Sequence, residues 1–73
     1  MALEAIINQP EFQRVILEEY AEGVYVLVFK PGEEWPCRDH LQDNWAIAKL
    51  QAFEDYGVTE AMWREIPDTG IMG

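Results

Sequence analysis

The stretch FQRVILEEYAEGVYVLVFK, residues 12–30, decides the fold. Phe12 to Tyr20 is centred on Val15-Ile16-Leu17, and Val24 to Lys30 is almost entirely β-branched or aromatic, so both runs read as strands. Between them stands Ala21-Glu22-Gly23. A glycine there accepts positive φ without a Cβ clash, which predicts a three-residue hairpin loop with Gly23 in the left-handed region. In that register Tyr20 faces Val24 and Leu17 faces Leu27. Val15, Leu17, Tyr25, Leu27 and Phe29 then share one face, and Ile16, Tyr20, Val24, Val26 and Val28 the other. A two-residue Glu22-Gly23 turn shifts the pairing by one. Either register leaves two apolar faces, where a half-exposed sheet alternates apolar with polar. One helix covers one face. The other needs a terminal segment or a second subunit.

Downstream, Pro31-Gly32 ends the second strand and residues 31–38 read as an irregular connection. Asp39-x-x-Gln42 has the spacing of an N-cap and capping-box partner. From His40 to Tyr56 the apolar positions Leu41, Trp45, Ala48, Ala52 and Tyr56 follow helical spacing, widened by Ala46, Leu50 and Phe53. Gly57 suits the C-terminal cap, with Val58 making its hydrophobic contact. Thr59 can cap a short turn over residues 60–62, and residues 63–66, which stop at Pro67, alternate as a third, edge strand, with a continued helical turn as the alternative. Upstream, residues 3–8 suit a short helix or a strand, and Pro10 breaks what precedes it. The expectation is an α+β domain over residues 1–67: an antiparallel hairpin, extended to three strands by residues 63–66, with one long helix on one face, in the order β-β-α-β. Residues 68–73 are expected to form a flexible tail.

The chain of 73 residues carries 14 acidic and five basic side chains, a net charge of -9. Residues 1–36 and 37–73 are both acidic, so no basic half is hidden by the average. That disfavours nucleic acid and anionic membrane surfaces as partners, since both need clustered Lys and Arg. One cysteine, Cys37, cannot form an intrachain disulfide, which points to a cytoplasmic setting. The first residues lack the basic and apolar regions of a signal peptide, and no apolar run approaches the ~20 residues of a membrane span. Serine is absent, which removes serine-nucleophile hydrolases, and no glycine-rich phosphate loop occurs.

Cys37-Arg38-Asp39-His40 is the one cluster with metal-ligand chemistry. Thiolate and imidazole suit zinc, but a closed site takes four ligands and the chain offers one Cys and one His. Cys37 and His40 are therefore weak metal candidates, set against a plain reading of a packed thiol and a solvated imidazole. As nucleophile and base they lack an orienting third group, so no catalytic residue and no cofactor is expected. Trp45 and Trp63 read as core. Trp35, flanked by Glu34 and Pro36, is the aromatic residue the core explains least. These residues suggest a non-catalytic, homodimeric interaction module whose interface includes Trp35, Ile16, Val26 and Val28. The alternatives are an acidic inhibitor or immunity-type protein docking a basic enzyme, and a small-ligand or metal binder around Trp35–His40.

Overall fold

Tyr20 pairs with Gly23 in the computed structural model, which describes residues 1–73. The hairpin loop is therefore the two residues Ala21 and Glu22. The strands are β2 (Arg14–Tyr20) and β3 (Gly23–Phe29), with Leu17 opposite Val26. This corrects both registers considered from the sequence. A slip of one residue moves a whole strand's side chains to the other face. Val15 and Leu17 thus share a face with Val24, Val26 and Val28, while Ile16 and Tyr20 share the other with Tyr25, Leu27 and Phe29. Gly23 is needed for close approach. Its φ is +150°, and a Cβ there would collide with the backbone carbonyl of Gln42 on the next strand.

Three more strands flank the hairpin: β1 (Ala2–Ile6), β4 (Arg38–Gln42) and β5 (Arg64–Ile66). The five form one antiparallel sheet in the order β4-β3-β2-β1-β5. The element order is β-β-β-β-α-β, two strands more than expected. Residues 2–6 are strand because Ala2, Leu3 and Ala5 meet Glu18, Leu17 and Val15 on β2. The larger correction is β4. Asp39 caps nothing; it pairs with Leu27 in an exposed edge strand. β3 is fully buried from Val26 to Phe29, and its outer edge needs partners for its backbone groups. Cys37 supplies the first, donating its N–H to the Val28 carbonyl at 2.8 Å.

The helix α1 consequently starts later, at Trp45, and runs to Tyr56. Its N-cap is Asn44, whose Oδ1 accepts the Ile47 N–H at 3.0 Å. Its end is as expected: Gly57 adopts φ +71° and donates to the Phe53 carbonyl, while Val58 is buried and donates to that of Ala52. Residues 60–62 make one 3₁₀ turn before β5.

Ala48, Ala52 and Tyr56 lie at helical spacing and are the buried residues of α1. They seat it on Val15, Leu17, Val24, Val26 and Val28. Two alanines in this row let the helix approach the sheet closely. The opposite face holds a smaller cluster of Ala2, Ile16, Leu27 and Phe29, joined by Tyr25, Ile66 and Ile71. Residues 68–73, set apart from the sequence as a tail, run over this second face and are hydrogen-bonded to it. No helix is long and apolar enough to cross a membrane.

Candidate functional site

Ile16, Val26 and Val28 are at most 1% exposed. Ile16 lies on the face away from α1, and the two valines lie beneath the helix. They are occupied in packing one chain. Trp35 is 69% exposed in the connection between β3 and β4 and lines neither cleft of the molecule. Cys37 is exposed, and its thiol donates to the Val28 carbonyl at 3.3 Å. His40 is exposed on β4 at the register position of Val26. No group of three His, Cys, Asp or Glu side chains converges in a way that could hold a metal ion.

An apolar surface with a groove beside it lies uncovered on the outside of α1. Leu50 is 54% exposed, Phe53 55% and Ile47 40%. Leu50 and Phe53 line an open groove of about 360 Å³ with Ala46, Val58 and Trp63. Ala46, Leu50 and Phe53 recur at the i, i+4, i+7 spacing that places side chains in one row. Lys49 and Glu60 also line the groove, paired at 2.7 Å. The sequence reading took Ala46, Leu50 and Phe53 as a broadening of the buried stripe. The signal that separates them was present: a helix apolar on nearly every side, beside a single sheet, leaves one side open.

A second cleft, about 620 Å³, opens between the start of β2 and the start of β4, lined by Phe12, Lys30, Cys37, Arg38, Glu11 and Glu33 among others. The Arg38 guanidinium lies 4.8 Å from the centre of the Phe12 ring and donates to the Tyr56 hydroxyl at 3.3 Å. Lys30 and Arg38 are the two cationic side chains outside any ion pair. Glu11 and Glu33 balance them, so the cleft is not an electropositive seat.

The second sheet face has its own polar network. Glu4 joins Arg14 at 3.2 Å and Arg64 at 2.8 Å, and Arg14 also stacks 4.1 Å over Phe29. Glu18, 2% exposed, forms no ion pair, although the Met1 ammonium lies close enough to feel its charge. Burial pushes its carboxyl up, but hydrogen bonds from Thr69, Tyr20 and Gly70 outweigh that and hold it below its ordinary value. Burial also raises the Tyr20 phenol. The Met1 ammonium lies 2.7 Å from Asp68, whose hydrogen bond raises its pKa. The sequence carried no sign that Glu18 is enclosed, because three of its four donors come from 51 and 52 residues away. No family model matches the chain, and neither a curated protein nor a solved structure is significantly similar to it.

Proposed function

We propose that this chain is a non-catalytic interaction module that self-associates through the outer face of α1. The observation that carries the reading is the uncovered row of Leu50 and Phe53 beside the groove lined by Ala46, Val58 and Trp63. A two-fold interface needs one surface that holds both the projecting side chains and the recess that receives them, and this surface holds both. The occupant is therefore a second copy, with Phe53 of each chain entering the groove of the other. A domain of this size gains from association, because a lone core below ~70–80 residues seldom supplies more than ~3–5 kcal/mol. The exposed thiol of Cys37 suits a reducing, cytoplasmic setting.

The patch offers on the order of half the ~800 Å² that each partner of a standard interface contributes, and each chain carries -9. Self-association is thus weak, strengthened by salt, and visible at tens of micromolar. Sedimentation equilibrium at low and moderate salt tests it. The expected result is a monomer–dimer equilibrium that Phe53→Glu abolishes while leaving the circular dichroism of the folded chain unchanged, and a wild-type melting temperature that rises with protein concentration where that of the variant does not. A single species near 8.5 kDa at moderate salt overturns it.

A second reading is favoured by a different observation. Only Glu4, Glu60 and Asp68 among the 14 acidic side chains are in ion pairs. An acidic surface of this kind suits docking to a basic enzyme. Salt separates the two readings, since it weakens docking through carboxylates and strengthens association of like-charged chains.

A further inference from the structure

The second sheet face reads residues 68–73 contact by contact. The Glu18 carboxylate accepts the Thr69 N–H at 2.7 Å, the Gly70 N–H at 3.3 Å, the Thr69 hydroxyl, and the Tyr20 hydroxyl at 2.9 Å. The Tyr20 oxygen in turn accepts the Met72 N–H at 3.1 Å. Ile71 packs against the cluster of Ile16 and Leu27. Gly73 lies so close to the Tyr20 ring that a Cβ there would stand 3.0 Å from a ring carbon.

A buried carboxylate that makes no direct ion pair is tolerated only when donors fill its lone pairs. Here three of its four donors belong to residues 69 and 70. An aliphatic residue would close the face at less cost, as Ile16 does two positions earlier on the same strand. A carboxylate at position 18 adds selection instead. It asks for two successive N–H groups, a hydroxyl, and a glycine able to take φ +67° as Gly70 does, followed by an apolar anchor. Main-chain donors for affinity and side-chain seats for specificity are how folded domains read short peptides. The segment follows Pro67, which has no N–H to extend the pairing of β5. Most of residues 68–73 stay exposed, so lifting them off breaks few apolar contacts.

We propose that the surface centred on Glu18 and Tyr20 is a peptide-binding site, that residues 68–73 fill it in cis as an autoinhibitory strap, and that its ligand in trans is a short peptide with a hydroxyl residue, a glycine and an aliphatic residue in succession. A short tether holds the strap at an effective concentration in the millimolar range. A competing peptide therefore enters when it exceeds that level or when the strap is withdrawn.

Thr69→Pro in the full chain withdraws it, removing one N–H and the hydroxyl while leaving Glu18 and Tyr20 in place. The probe is an unlabelled peptide of residues 67–73, titrated into the ¹⁵N-labelled variant. The expected result is saturable one-to-one binding with shifts concentrated in the sheet strands that the strap touches, β1, β2, β3 and β5, and absent from α1. Affinity should fall at least tenfold when the peptide threonine is replaced by valine, or when the chain carries Glu18→Gln. A folded variant that binds no peptide at millimolar concentration overturns the proposal. Amide exchange on the wild-type chain keeps it testable should the variant fail to fold. The Thr69, Gly70 and Met72 amides are expected to exchange at least tenfold faster than those of β2 and β3, and equal rates would make the strap an inseparable part of the sheet.

Discussion

Asn44 and Asp39 show how one side-chain oxygen chooses where a helix begins. Both precede helix-compatible sequence, and Asp39 has the better capping-box spacing. Yet Asn44 accepts the Ile47 N–H, while Asp39 stands exposed on β4. Asn44→Ala is expected to cost ~0.5–2 kcal/mol in urea denaturation. Asp39→Ala should stay within about 0.5 kcal/mol of wild type, as surface substitutions do. Glu18 makes the pH prediction. Its native pKa is lowered from the 4.5 of a free carboxyl. Its contribution to stability is therefore present above about pH 4.5 and lost as the pH falls through the lowered native value. Thermal melts from pH 6 to pH 2.5 should show wild type losing stability more steeply than Glu18→Gln in that acid window. Parallel curves would mean that the carboxylate gains nothing from its donors.

The elements differ in how far the sequence revealed them, and the reason lies in what defines each. The hairpin was legible from its composition. Its register was not, because Val24 to Phe29 is apolar at every position, so a slip exposes nothing that the sequence would forbid. The end of α1 was legible from Gly57 and Val58, a local signal. β4 was not, because Arg-Asp-His-Leu-Gln has no strand pattern of its own and is strand only because β3 has an edge to pair. The candidate docking surface was legible as residues and misread as burial. Two rows on α1 are apolar, and the one that faces the sheet carries Ala48 and Ala52 at its centre, with Tyr56 at its end, while Leu50 and Phe53 stand on the outward one. Ala52→Leu is accordingly expected to cost ~1–3 kcal/mol by overpacking. Leu50→Gln, on the outward row, should leave stability within about 0.5 kcal/mol. Chemical denaturation of the two variants compares the rows directly.

For the molecule as a whole, net charge opposes compactness, with three acidic side chains paired out of 14. Raising sodium chloride from 10 to about 150 mM should raise the melting temperature, since it screens repulsion that extends over ~30 Å at the lower salt. A fall would mean that the Glu4 pairs with Arg14 and Arg64 outweigh that repulsion. The sheet order has a further consequence, for synthesis. Ala2 pairs with Ile66, so the first of the five strands to leave the ribosome borders the last. Once α1 has emerged, β4, β3, β2 and β1 can assemble while β1 still shows an open, largely apolar edge. An unfinished chain in that state is a template for strand addition by its neighbour on the same message. The three residues of β5 end that exposure, and Pro67 just beyond them denies a newcomer the next backbone donor.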